Sequence, residues 1–203
     1  PDTTTSTGSL VITKTAYGLG ADDSYKFTLK LGNVGDGAYA IQLPDGTLNP
    51  IYNNEITFYM KDGQSAVVNG LPEGYTYEVT EEAGNYYAYT MESRTLNLRN
   101  SITMVDKVNV PKMNIEVKKT WDDEDNKFNK RPESITIDLV NGEERVVRTA
   151  EVKADAEGNW KCIFENLPVR DAAGNEIDYA VKEHDVDGYV GKVNDWEITN
   201  ILR

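Results

Sequence analysis

The sequence predicts an all-β protein made of two tandem β-sandwich domains, and three observations carry that prediction. Tyrosine (12) outnumbers phenylalanine (4), threonine and valine are plentiful, and no stretch sustains an apolar i, i+3, i+4, i+7 pattern over three turns. Turn-forming tetrapeptides, "LPDG" (43–46), "KDGQ" (61–64), "VNGE" (140–143), "AEGN" (156–159) and "AAGN" (172–175), separate short apolar runs. This spacing favours antiparallel sandwiches over βαβ units. Finally, one order of features occurs twice along the chain.

The first series runs "SLVITKT" (9–15), "YKFTLKL" (25–31), "GLPEGYTYEVTEEAGNYYAYT" (70–90) and "SITMVDK" (101–107). The second runs "NIEVKKTW" (114–121), "SITIDLV" (134–140), "NLPVRDAAGNEIDYAVKEHDVDGYVGKV" (166–193) and "WEITNIL" (196–202). Each has an opening strand with a lysine, a second strand, an "LP" turn, a tyrosine-bearing strand ending in glutamate, and a closing strand. The expected domains are 9–110 and 111–203, meeting in "VNVPKMN" where Pro111 interrupts strand pairing. The opening "PDTTTSTGS" makes residues 1–8 a linker, as in a piece of a longer protein.

At 203 residues and 39% hydrophobic content the chain can bury real cores. Its net charge of -13 argues against nucleic acid or an anionic membrane as partner. No apolar run approaches the roughly 18 residues of a membrane span, and no signal peptide is visible. The single cysteine, Cys162, excludes an intramolecular disulfide; in phase with Trp160 and Phe164, it reads as a core thiol. With one cysteine and one histidine, His184, a zinc site or a Cys/His catalytic pair is poorly supported, and no metal or cofactor is expected. His184 points away from the face of its neighbour Glu183 and is expected to be exposed. "WDDEDNKFNKRP" (121–132) lacks the glycine of a calcium loop and reads as a solvated loop.

Strand parity marks the chemistry, because successive side chains point to opposite faces. In the second series Ile115, Val117, Lys119 and Trp121 share a face, as do Ile177, Tyr179, Val181 and Glu183, and Trp196, Ile198, Asn200 and Leu202. Each apolar stripe holds one polar residue: a lysine, a glutamate, an asparagine. The first series gives Leu10, Ile12, Lys14; Tyr75, Tyr77, Val79, Glu81; and Ile102, Met104, Asp106. A buried lysine tends to shed its proton and a buried glutamate to keep one. Together they offer a nucleophilic amine beside a proton-donating acid, with a carboxamide or protonated carboxyl as electrophile. The expected product is a Lys–Asn or Lys–Asp isopeptide bond; an ion pair bridged by asparagine is the non-covalent alternative.

The stretches "IEVKKTWDDEDNKFNKRPESITIDLV", "EGNWKCIFENLPVRDAAGNEIDYAVKEHDVDGY" and "WEITN" closely resemble the collagen-adhesin B-type repeat (Cna-B type) of Gram-positive surface proteins and pilins. The likeness covers nearly all of 114–203 and rests on Val-x-Lys-x-Trp, Lys-Arg-Pro-Glu, Gly-Asn-Trp, Tyr-x-Val-x-Glu and Ile-Thr-Asn. It implies an Ig-like or prealbumin-like sandwich, and a bond from Lys119 to Asn200 assisted by Glu183. Residues 9–110 are similar to related pilin-type isopeptide domains through "LVITKT", "LPEGYTYEVTEE" and "SITMVDK", which implies Lys14 and Glu81. For the acceptor there, parity favours Asp106, with Asn109 as the alternative; a first domain that forms no bond is the third reading.

The resemblance implies a stalk or pilin segment of an extracellular, cell-wall-anchored protein, locked by bonds that form once, and hence no turnover enzyme. The implied partners are neighbouring domains, other pilin subunits joined by sortase, and host extracellular matrix. Lys112 in "VNVPKMN" is a candidate sortase acceptor. The rival readings are an adhesin module that binds a host matrix protein or glycan directly, and an accessory domain of a secreted carbohydrate-active enzyme.

Overall fold

The computed structural model describes residues 6–203, and among these every regular element is a strand. The chain divides into two compact units, one running to Pro111 and taking in Ala172–Gly174, and a second comprising Lys112–Asp171 and Asn175–Arg203.

The first unit holds β1 (Thr7–Ala16), β2 (Ser24–Gly32), β3 (Ala40–Gln42), β4 (Leu48–Pro50), β5 (Glu55–Lys61), β6 (Ser65–Pro72), β7 (Thr76–Glu81), β8 (Tyr87–Leu96) and β9 (Asn100–Val110). One sheet runs β4-β3-β6-β1-β9-β8, the other β5-β2-β7. The strand β1 already begins at Thr7, so residues 7 and 8 belong to the sheet rather than to a linker; residues 1–5 lie outside the described residues. Alternation makes both layers: Leu10, Ile12 and Lys14 of β1 point inward, as do Tyr25, Phe27, Leu29 and Leu31 of β2. On the inner face of the β5-β2-β7 sheet Phe27 stacks on its cross-strand partner Phe58 at 5.7 Å, and Met60, Val68, Leu71 and Val79 add to the core.

The second unit holds β10 (Lys112–Asp122), β11 (Ile135–Val140), β12 (Val146–Val152), β13 (Trp160–Pro168), β14 (Ala180–Glu183), β15 (Tyr189–Asn194) and β16 (Glu197–Leu202). Its sheets run β13-β10-β16-β15 and β12-β11-β14. Ile115, Val117, Ile137, Leu139, Phe164, Leu167, Val181 and Ile198 form the core. Cys162 packs on this core but is only half-buried.

The two units share one plan. In each, the first strand lies between an antiparallel neighbour (β6 or β13) and the last strand, which runs parallel to it (β9 or β16). The last strand is flanked in turn by the strand before it. The β3–β4 hairpin is an addition peculiar to the first unit. Parallel pairing of first and last strands is what positions the sites, because it aligns residues far apart in sequence.

Candidate functional site

In the second unit the β10–β16 register sets Trp121 opposite Asn200; in the first, the β1–β9 register sets Ala16 opposite Asn109. Both asparagines therefore stand opposite the residue two positions beyond the lysine. The glutamates occupy matching places as well: Glu183 on β14 pairs with Ile137 of β11, and Glu81 on β7 with Phe27 of β2.

In the second cluster Lys119 Nζ lies 3.6 Å from Glu183 Oε2, and both side chains are almost wholly buried. Asn200, fully buried, donates through Nδ2 to the same carboxylate oxygen at 3.3 Å. Lys119 also donates to the carbonyl of Thr120 at 2.9 Å, and its Nζ sits 4.0 Å from the centroid of the Trp121 ring. Burial is the main cause that lowers the Lys119 pKa to about 8, against the pull of Glu183 toward the charged form. Burial likewise pushes the Glu183 carboxyl up. The amine and acid are thus drawn toward the protonation states that acyl transfer needs.

The first cluster is tighter. Lys14 Nζ lies 3.0 Å from Glu81 Oε2, and Asn109 Nδ2 donates to Glu81 Oε1 at 2.7 Å. Lys14 also donates to the carbonyl of Lys107 at 3.2 Å, with its Nζ 4.3 Å from the Tyr25 ring and 6.0 Å from that of Tyr86. Burial again lowers the lysine pKa. In both clusters the asparagine Oδ1 is buried without a hydrogen-bond partner, an orphaned acceptor that a protonated carboxyl would serve.

Asp106 is not in this cluster. It pairs with Thr13 in the β1–β9 register and accepts a hydrogen bond from Thr15 Oγ1 at 2.8 Å. The parity reading failed because Met104 is the outward residue, 45% exposed, while Thr103 and Val105 point inward. Counting on from them reaches Asn109, which occupies the place parity had given to Asp106.

Other residues singled out fall elsewhere. Lys112 is half-buried at the start of β10, opposite Pro168. His184 is exposed and pairs with Asp138 at 2.7 Å. The segment after Trp121 is not simply solvated: Asp123 is 3% exposed and gripped by Arg131, at 2.8 Å through Nε and 2.7 Å through Nη2. Sequence reasoning also missed Gly191, which faces Asn200 across β15–β16. A Cβ on Gly191 would come within 3.1 Å of Glu183 Oε1 and 3.2 Å of Asn200 Oδ1.

Comparison with known proteins adds the family. Residues 115–201 match the model of the Cna protein B-type domain, and residues 8–116 match that of a domain of unknown function, DUF7601. The collagen adhesin of Staphylococcus aureus is 36% identical over 175 residues, 81% of this chain and 13% of that protein. The pilus tip adhesin Cpa of Streptococcus pyogenes is 32% identical over 94 residues, 43% of this chain and 13% of that protein. The crystal structure of two B repeat units of the S. aureus collagen binding protein aligns with 96% of this chain and 49% of that one, at 25% identity and a TM-score of 0.45. This chain thus spans only a small part of the curated relatives it matches. By these matches the chain belongs over residues 8–116 to the DUF7601 family, and over residues 115–201 it is a Cna protein B-type domain of the kind found in Gram-positive surface proteins.

Proposed function

We propose that this chain is a stalk segment of a Gram-positive surface protein, each of whose two sandwiches is closed by a self-made isopeptide bond. The bonds are Lys119–Asn200, assisted by Glu183, and Lys14–Asn109, assisted by Glu81. The observation that carries the reading is the twofold occurrence of a buried Lys–Glu–Asn cluster at one and the same register of first and last strands.

The chemistry is acyl transfer without turnover. The unprotonated lysine Nζ attacks the asparagine Cγ while the glutamic acid protonates Oδ1. The glutamate so formed carries the amine proton to the carboxamide nitrogen; as the tetrahedral centre collapses that nitrogen leaves as ammonia, the new C–N bond remains, and Oδ1 returns its proton to the glutamate as the carbonyl re-forms. Water is kept away by the apolar and aromatic walls. Each bond consumes its own residues, so the chain acts as a structural element and not as an enzyme.

Joining first strand to last closes nearly a whole domain into one covalent loop. By analogy with disulfides this restricts the unfolded chain by about 4 kcal/mol or more. Unfolding past the crosslink would require breaking a covalent bond, which is how a stalk resists force and proteases. Cell-surface attachment, neighbouring domains of the same protein and pilin-like assembly follow from the relatives' names as parts of this proposal, with Lys112 as its candidate for sortase joining.

Intact-mass spectrometry tests it. The expected mass is that of the sequence less two ammonia molecules; an unmodified mass overturns the crosslinks. A loss of one ammonia and one water would return the first acceptor to Asp106.

A second reading, direct binding of a host matrix protein or glycan, draws on the relatives named as adhesins and on a cleft of about 390 Å3 in the first domain, where Tyr75, Tyr77, Glu92 and Arg94 meet. Saturable binding of this chain to collagen or to a glycan array would favour it.

A further inference from the structure

In the second domain one charged cluster lies outside the Lys–Glu–Asn trio yet leans on it. Trp121, whose ring borders Lys119, stands edge-on to Trp160 and Tyr189 at 5.2 and 4.9 Å. The Arg131 guanidinium carbon lies 5.5 Å from the centroid of that same ring. Arg131 is itself fixed by its two-pronged grip on Asp123. Asp123 accepts further hydrogen bonds from the backbone N–H of Asn126 at 3.0 Å and from the Tyr189 hydroxyl at 2.8 Å. Tyr189 begins β15, the strand that pairs with β16 and thereby with Asn200. One buried carboxylate thus ties together the end of the donor strand, the 123–131 loop and the neighbour of the acceptor strand.

Stability alone is a weak reason for such a cluster, since a buried ion pair of this kind is often matched by well-packed apolar residues. Its position suggests another. A cleft of about 460 Å3 lined by Lys119, Trp121, Arg131 and Trp160 opens beside the site, yet the Lys119 side chain has 0% exposure. Trp121, with Arg131 against its ring, is the aromatic side chain that borders the amine there.

We propose that Asp123, Arg131 and Tyr189 are positioning residues for crosslinking in the second domain, clamping Trp121 over Lys119 and holding a fixed cation on the same ring that borders its amine. The inference rests on the crosslinking reading above. Around Lys119 stand Glu183 from β14 and Asp123 and Arg131 from the loop; the two carboxylates favour the ammonium, whereas burial and Arg131 favour the free amine. Pairing with Arg131 holds the Asp123 carboxyl far below the usual carboxylate range, so the clamp stays charged. The Tyr189 phenol is pushed up to about 12 and remains a donor.

The test uses full-length chain made by cell-free synthesis, moved into buffers spanning about pH 6 to 9, quenched in acid and weighed intact, with peptide mapping to assign each ammonia loss. Arg131→Gln is expected to slow formation of the Lys119–Asn200 bond about tenfold at neutral pH. It should also move the rising limb of the pH profile upward, because removing the cation raises the lysine pKa and leaves less free amine at a given pH. The Lys14–Asn109 bond in the same molecule keeps its rate. Tyr189→Phe removes only the hydroxyl on Asp123, keeps the ring beside Trp121, and is expected to slow the same bond about threefold.

Where Arg131→Gln folds, as read by circular dichroism, its rate and profile decide: a wild-type rate, or a slowed rate with an unshifted profile, overturns the inference. Where it does not fold, the rate of Tyr189→Phe decides, and a wild-type rate overturns it. If the unaltered chain keeps the ammonia of Asn200, the crosslinking reading itself falls; loss of that ammonia with unaffected variants sinks this inference alone.

Discussion

The first domain seats its buried lysine among tyrosines, with Tyr25 and Tyr86 ring to ring at 5.7 Å; the second seats it on a tryptophan backed by an arginine. The contacts differ in tightness too: 3.0 Å against 3.6 Å from lysine to glutamate, and 2.7 Å against 3.3 Å from asparagine to glutamate. Shared by both are the strand register, the place of the glutamate and the burial. The comparison separates what the arrangement requires from what it tolerates. A parallel pair of first and last strands and one inward carboxylate recur, whereas the aromatic surround is met by different residues, two tyrosines in one domain and a tryptophan backed by an arginine in the other.

The strongest way to break the comparison is to remove each carboxylate in turn. Glu81→Ala and Glu183→Ala are expected to restore one ammonia each, to the variant's own domain alone. Each should also lower that domain's stability by about 4 kcal/mol or more, because the covalent loop is lost and a buried lysine is left without its partner. Peptide mapping and calorimetric unfolding would check both. If either variant altered the crosslink of the other domain, the two sites would not be independent.

The equivalence of the acceptors is exposed to a gentler pair of substitutions. Asn109→Ala should abolish the crosslink of the first domain. Asp106→Ala should leave it intact and cost about 1 kcal/mol, the worth of the hydrogen bond from Thr15. The reverse pattern in intact masses would restore Asp106 as acceptor and break the register argument.

Why Asp106 drew the sequence reading is instructive. Alternation located the buried faces of β1, β7, β10, β14 and β16 because those stripes carry several apolar residues in phase. On β9 the outward Met104 imitated a core residue, and the strand runs on to Val110, so Asn109 looked like linker. A methionine on an exposed strand face breaks no physical rule, and only the pairing with β1 settles the phase. Asp123 was hidden for a different reason. A run of charges reads as solvated unless the partner, here Arg131 eight residues on, is known to fold back on it. The repeat itself was legible because both units preserve the order of first, second and closing strands. The β3–β4 hairpin was not, since two three-residue strands leave almost no periodic signal.

The smallest expected effect concerns the residue facing each acceptor. In the first domain Ala88 pairs with Asn109, whereas in the second Gly191 pairs with Asn200. A methyl at that position is therefore compatible with a cluster whose contacts are the shorter of the two. Gly191→Ala would bring its Cβ to 3.1 Å from Glu183 Oε1 and 3.2 Å from Asn200 Oδ1, so both side chains must shift by a few tenths of an ångström. Gly191 lies outside the positive-φ region, so the backbone accepts alanine there, and the lost flexibility of the unfolded chain offsets part of the crowding. The net change in stability is expected to stay within about 1 kcal/mol, with the ammonia of Asn200 still lost in full. Thermal unfolding and intact mass together check it. Incomplete crosslinking in Gly191→Ala would mean that the second site, unlike the first, depends on the space a glycine leaves, and that the two clusters share a register but not a tolerance.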